Sequence, residues 1–261
     1  MSEKGPLTGK IALVTGASKG LGRSIALALA RAGADVGVNY FSDTVGAVKA
    51  AEEIRKMGRK SAVYQADVAQ QVNVQEMFQR FKYDFPRLDI LVNNAGVTVW
   101  GPLLDLPEEK WDRIMGTNLK GTFLCTQHAG RMMRTQKKGR IINIGSGAGK
   151  TPFPQLSAYN ASKAGLNIFT AASAIELGPL GITVNCVAPG AIEVERTKRE
   201  SDDYAGTWGP LTPMRRIGNP DDVANATVFL AGDQADFISG QVIYVDGGLW
   251  SQGPWPYNDK K

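Results

Sequence analysis

The sequence predicts a doubly wound α/β fold: one seven-stranded parallel sheet with helices on both faces. Three observations point there. Strand-like apolar runs alternate with helical patterns from one end of the chain to the other. The first run passes through a glycine-rich turn straight into a helix. At 261 residues and 43% apolar content, the chain suits one domain better than two, so residues 1–261 are read as a single domain. The seven runs are residues 10–15, 34–40, 61–66, 88–92, 139–145, 182–187 and 241–245. Six of them feed helices, through crossovers that should be right-handed.

Taken in order, the first run, Lys10–Thr15, leads into Gly16-Ala-Ser-Lys-Gly-Leu-Gly22, and a helical pattern follows from Ser24 to Ala30 and stops at Gly33. Glycines let backbone N–H groups approach a pyrophosphate, and the helix N-terminus adds about half a positive charge. This is an anion site for a nucleotide. The second run ends in Asn39-Tyr40-Phe41-Ser42. Dinucleotide folds that take NAD(H) place a carboxylate there to bond the ribose 2′-hydroxyl. Asp35 comes too early and Asp43 too late for that role, whereas Lys19 and Ser42 could hold a 2′-phosphate. The expectation is NADP(H), with NAD(H) as a second cofactor. The third run leads to Asp67-Val68, where Asp67 is placed to cap a helix starting near Ala69. The fourth leads to Asn93-Asn94-Ala95-Gly96, whose small pair permits close backbone approach to a cofactor.

A long helix is expected around residues 108–137, with Asn118 inside it despite the poor helix propensity of asparagine. The fifth run ends at Ser146, and a helix over 157–177 carries Tyr159 and Lys163. Residues four apart share a helix face, about 5–6 Å between Cβ atoms, so the ammonium can sit beside the phenol. A nearby cation favours an ionised phenol. Ser146 could donate to a carbonyl oxygen held beside the tyrosine. The implied chemistry is proton exchange with a ketone or secondary alcohol. After the sixth run comes Pro189-Gly190-Ala-Ile192, then a charged and aromatic segment, 193–216, with Glu193, Glu195, Arg196, Tyr204 and Trp208, which suits a lid over a substrate. The tail, residues 249–261, holds Trp250, Trp255 and Tyr257, and is expected to pack on a neighbouring subunit.

Composition narrows the function further. The net charge of +5 is dispersed, and no nucleic-acid motif occurs. No run approaches the 18 apolar residues of a membrane span, and the first residues lack the apolar core of a signal peptide. Cys125 and Cys186 read as buried thiols in a reducing cytoplasm, without metal-ligand spacing. No metal is expected. The lone histidine, His128, has no relay partner in the sequence and is read as structural.

Thr15-Gly16-x-x-x-Gly20-x-Gly22, Asn93-Asn-Ala-Gly96, Asn118, Ser146, Tyr159-x-x-x-Lys163 and Pro189-Gly190 together resemble the short-chain dehydrogenase/reductase family, in the family's order and from about Gly9 to Gly248. The resemblance implies a Rossmann-type fold and a nicotinamide cofactor held by Gly16, Ser18, Lys19, Gly20, Leu21, Gly22, Asn39, Tyr40, Ser42, Asp67, Val68, Asn94, Ala95, Gly96, Tyr159, Lys163, Pro189, Gly190 and Ile192. Within it, Asp67 would meet the adenine amino group and Ile192 the carboxamide. A basic residue at the place of Lys19 is common among members that prefer NADP(H). Tyr159 would be the general acid/base, with Lys163 beside it and bonding the nicotinamide ribose. Ser146 would hold the substrate oxygen, and Asn118 would anchor a water leading to Lys163.

For substrate, Lys150-Thr-Pro152-Phe153-Pro154 is similar to the substrate loop of bacterial glucose 1-dehydrogenases, so a sugar is the first reading. The alternatives are a 3-oxoacyl-carrier-protein reductase, despite Leu180 standing where that branch often has a basic residue, and a broad carbonyl reductase. Trp100, Phe153, Tyr204 and Trp208, with Ser146, are the expected substrate contacts. A catalytically silent NADP(H)-binding regulator is the non-enzyme alternative, against which both Tyr159 and Lys163 are present. Small residues on helix 157–177 (Ala161, Ala164, Gly165, Ala171, Ala172, Ala174) allow close packing, and the family commonly forms homotetramers through this helix and its neighbour.

Overall fold

Short apolar runs without alternation are stable in the middle of a parallel sheet, where helices cover both faces. A computed structural model, describing residues 5–252, shows that arrangement. The strands are β1 (Ile11–Val14), β2 (Asp35–Tyr40), β3 (Ser61–Gln65), β4 (Ile90–Asn93), β5 (Gly139–Ile144), β6 (Ile182–Pro189) and β7 (Val242–Val245). They form one sheet in the order β3-β2-β1-β4-β5-β6-β7, every pair parallel. Each expected run overlaps its strand, and β4 and β6 continue past the expected ends to Asn93 and Pro189. The fourth starts at Ile90, later than expected, and the residues before it are held through side chains as well. Leu88 donates its N–H to the Gln136 side chain, and the Asp89 carboxylate accepts from the Ile11 N–H.

Side-chain parity sorts the sheet's two faces. Ala12, Val14, Val36, Val38, Ile90, Val92, Ile142 and Ile144 join one core. Leu13, Leu91, Ile141 and Val184 join the other. The helices are α1 (Gly20–Arg31), α2 (Thr44–Lys56), α3 (Gln71–Asp84), α4 (Glu108–Met115), α5 (Gly121–Gln136), α6 (Ser157–Leu177), α7 (Glu195–Glu200), α8 (Tyr204–Trp208) and α9 (Pro220–Ala231). Residues of α1, α2 and α9 fill the first core, and residues of α3, α5 and α6 the second.

Two expectations change. The helix after Asp67 begins at Gln71, not near Ala69, because the Asp67 carboxylate accepts the Ala69 N–H and closes a local turn instead of capping the helix. The long helix over 108–137 is not uniform. Residues Gly116–Lys120 form a π-helical turn between α4 and α5, in which the Gly121 N–H reaches back to the Gly116 carbonyl. The hydroxyl of Thr122 donates to the Asn118 carbonyl there.

A buried polar ladder fixes the helices that carry the site. Asn93 on β4 donates to Thr126 on α5 (3.1 Å) and to Asn143 on β5 (2.9 Å). Asn143 in turn donates to Thr170 on α6 (2.9 Å). Farther down, Arg140 is 4% exposed and reaches Asp236 beyond α9, tying the start of β5 to that helix's end.

Candidate active site

In an open α/β sheet the crevice lies beyond the carboxyl ends of the strands, where the strand order reverses. Here that place is between β1 and β4, and a cavity of about 1040 Å³ opens there. It runs from the glycine loop after β1 to the end of β7. At one end the loop is stitched from beneath. Asn39 at the tip of β2 accepts the Gly16 N–H (3.1 Å) and donates to the Tyr64 carbonyl (3.1 Å). Asn94 donates to the carbonyls of Thr15 (2.9 Å) and Gly16 (3.0 Å), while the Thr15 hydroxyl accepts from the N–H groups of Asn94 and Ala95. A Cβ on Gly22 would lie 2.3 Å from the Asn94 amide nitrogen, so only glycine fits.

These residues fit a dinucleotide. Lys19 stands at the N-cap of α1 and its side chain makes no capping bond, which leaves the first-turn N–H groups of that helix for an anion. The Thr117 hydroxyl lines the same cavity, is buried, and has no hydrogen-bond partner among the described residues. A ligand with polar atoms would satisfy both.

Beyond β5 lies the second end. The Ser146 oxygen accepts from the Ala148 N–H (3.1 Å), so its own hydrogen is left to donate elsewhere. Lys163 is 5% exposed, and its ammonium donates to the Ile144 carbonyl (2.7 Å) and lies 5.7 Å from the centre of the Tyr159 ring. All three line the cavity. Asn118 does not line it. The π turn aims its amide at the loop after β4, where Oδ1 accepts from the Val97 N–H (2.8 Å) and Nδ2 donates to the Val97 carbonyl and to Ser162. A chain of rings walls this end: Tyr204 tilts on Trp208, Trp208 meets Phe153 edge to face (5.7 Å), and Phe153 meets Trp250 in the same way (5.1 Å).

Residues 16–250 match the family model described as "Enoyl-(Acyl carrier protein) reductase". The chain is 44% identical over 241 residues to a 3-oxoacyl-(acyl-carrier-protein) reductase of Staphylococcus epidermidis, covering 92% of this chain and 99% of that one. It is 42% identical over 244 residues to the protein of that name from Synechocystis, covering 93% and 98%. The solved acetoin dehydrogenase of Enterobacter cloacae superposes with a TM-score of 0.87 at 36% identity, covering 95% and 98%. The chain belongs to the short-chain dehydrogenase/reductase family. It is accordingly an oxidoreductase that works with a nicotinamide cofactor on alcohols and ketones. These relatives favour the ketoreductase side of the sequence reading over the sugar side.

As a short-chain dehydrogenase/reductase, the chain keeps nearly all its expected site residues on one cavity: Gly16, Ser18, Lys19, Gly20, Leu21, Gly22, Asn39, Ser42, Asp67, Val68, Asn94, Ala95, Gly96, Pro189, Gly190, Ile192, Trp100, Phe153, Tyr204 and Trp208. Tyr40 is the exception at the nucleotide end. Its ring lies in the core under α1 and α2, because strand parity turns it away from its neighbour Asn39. Asn39 and Asn94 spend most of their hydrogen-bonding capacity on the scaffold.

Of the lining residues that the sequence reading did not assign to the site, three matter most here: Thr117, Arg113 and Trp250. Arg113 comes from α4 and Thr117 from the π turn after it, and Arg113 pairs with Asp67 at 3.1 Å across 46 positions. Trp250, expected on a neighbouring subunit, packs instead on its own chain, so close to Gly147 that a Cβ there would lie 1.7 Å from the indole nitrogen. Trp255 and Tyr257 lie outside the described residues. The remaining expectations concern residues away from the site. Both cysteines are buried and free, and burial pushes Cys125 up to about 12 and Cys186 to about 11, leaving the thiols inert near neutrality. His128 stacks on Phe78 at 5.3 Å. Among the described residues no helix is long and apolar enough to cross a membrane, and no His, Cys, Asp and Glu cluster could hold a metal.

Proposed function

We propose that this protein is an NADPH-dependent ketoreductase whose preferred substrates are 3-oxoacyl thioesters. The observation that carries the reading is the convergence of Ser146, Tyr159 and Lys163 beside a wall of rings. A sugar needs many polar partners, whereas Phe153, Trp208 and Trp250 offer apolar faces suited to an acyl chain. The names of the relatives from Staphylococcus epidermidis and Synechocystis agree with this choice.

In this mechanism the ketone oxygen accepts hydrogen bonds from the Ser146 and Tyr159 hydroxyls. Bound NADPH would supply the hydride to the carbonyl carbon. Tyr159 gives its proton to the oxygen as negative charge develops there, yielding the secondary alcohol. Lys163, held by the Ile144 carbonyl, keeps a cation near the resulting phenolate, which solvent then reprotonates. Asn118 acts as a positioning residue, fixing the loop at Gly96 against α6 through Val97 and Ser162.

Preference for NADP(H) rests on Lys19 and Ser42 on the cavity rim and on the absence of a carboxylate at the tip of β2. Residues 193–216, with α7 and α8, serve as the lid of a single catalytic domain. We further propose a cytoplasmic homotetramer. Ile168 (74% exposed) and Ile175 (77%) on α6 and Phe123 on α5 leave an apolar face that a second copy would cover.

The test is NADPH oxidation with acetoacetyl thioesters and aryl ketones, and NADP⁺ reduction with glucose. The thioester should give the highest kcat/KM. Efficient glucose oxidation with little thioester reduction would overturn the substrate claim, and a tenfold NADH preference the cofactor claim.

A further inference from the structure

The glycine-loop end of the cavity contains two carboxylates, Asp43 and Asp67, each of which would repel a 2′-phosphate if left bare. Neither is bare. Asp43 accepts the Gly46 N–H (2.9 Å) at the start of α2. Asp67 accepts from the Ala69 N–H through one oxygen (3.0 Å) and from the Arg113 guanidinium through the other (3.1 Å). Arg113 reaches there from α4, and its Cζ lies 5.0 Å from the centre of the Phe41 ring. Phe41 is the residue immediately before Ser42. One planar cation therefore spans the distance from Asp67 to the tip of β2.

The guanidinium is well suited to that span. It is always charged and carries five donors in a fixed fork, so an ion pair to one carboxylate leaves donors for a second anion. Its side chain is 42% exposed at the cavity rim, within reach of a ligand. Thr117, on the π turn that follows α4, lines the same cavity and carries a buried hydroxyl with no partner among the described residues.

We propose that Arg113 is a cofactor-specificity residue: it cancels the charge of Asp67 and donates to the 2′-phosphate of a bound adenosine, using the Phe41 ring as its platform. This rests on the NADP(H) reading above. It adds a second cation to Lys19, from α4 rather than from the glycine loop.

The experiment is direct titration of the protein with NADP⁺, NAD⁺, adenosine 2′,5′-bisphosphate and 5′-AMP by calorimetry, with no turnover involved. Wild type should bind the 2′-phosphorylated member of each pair more tightly. Arg113→Gln should weaken those two ligands about tenfold or more, as expected for loss of a charge-assisted contact, and change the other two less than about twofold. Arg113→Lys should recover part of the loss. High salt should narrow the wild-type preference. Equal weakening of all four ligands, or unchanged binding of both 2′-phosphorylated ones, would overturn the role of Arg113. Tighter binding of NAD⁺ than NADP⁺ by wild type would instead remove the cofactor reading on which it stands. Should Arg113→Gln unfold, Arg113→Lys with the same four ligands decides, since it keeps the charge but not the fork.

Discussion

The two ends of the cavity are built from different materials. The nucleotide end is an amide lattice: Asn39, Asn94 and the Thr15 hydroxyl hold the glycine loop through short bonds to backbone atoms. The substrate end is an aromatic stack in which Tyr204, Trp208, Phe153 and Trp250 touch in series, from α8 through the loop after β5 to the end of the sheet. Directional bonds to backbone fix one geometry. Ring contacts tolerate several, at about 0.5–1.5 kcal/mol each beyond burial. The contrast suggests a rigid cofactor seat beside an adaptable substrate wall.

The largest effect should come from the group between the two ends. Tyr159→Phe should cut turnover about 10²–10⁴-fold, the usual worth of acid/base catalysis, while NADPH affinity measured by fluorescence titration stays within about twofold. A variant that kept most of its turnover would dissolve the boundary between seat and wall.

Next comes the lattice itself. Asn94→Ala removes the donors to Thr15 and Gly16 and should cost about 2–3 kcal/mol in urea unfolding, given two nearly buried bonds. Nucleotide affinity should fall with it. If stability fell and affinity did not, the lattice would be a folding device only.

On the wall, Trp208→Ala loses the ring contacts to Phe153 and Tyr204. It should shift KM for long or bulky ketones about tenfold but destabilise by only ~1 kcal/mol, with nucleotide binding untouched. Equal damage to cofactor binding would show that the ends are coupled.

The smallest effect is a control far from both. Burial, then Arg131 and Lys82, hold the His128 imidazole below its usual 6.5. The unfolded chain therefore takes up its proton first as pH falls, so this group weakens folding below about 6.5 and contributes nothing above. His128→Gln should flatten that part of the stability profile without changing activity at either end.

How far the sequence could be read follows the same division. The glycine loop, Asn94, Ser146, Tyr159 and Lys163 lie at ends of recognisable elements, where chain-local patterns fix position, and all reach the cavity. Tyr40 went astray because β2 is buried on both faces, so alternation gives no sign of which residue at its tip faces the crevice. Arg113 was invisible because its contact with Asp67 joins elements far apart in the chain. Trp250 could be recognised as an aromatic needing cover, but not whose surface would supply it. The π turn leaves no trace in composition, since Gly116-Thr-Asn-Leu-Lys120 would serve an ordinary helix as well.

That turn amounts to one surplus residue inserted into a rod. Excising a single residue from 116–120 would let α4 and α5 fuse with regular spacing, and by local propensity the fused helix would be the better one. Yet everything beyond the deletion would rotate by about 100° relative to what precedes it. Asn118 would then lose Val97, or Arg113 and Thr117 would swing off the crevice wall. A redesign that scored helices one at a time would choose that deletion and uncouple the two walls the irregularity keeps in phase.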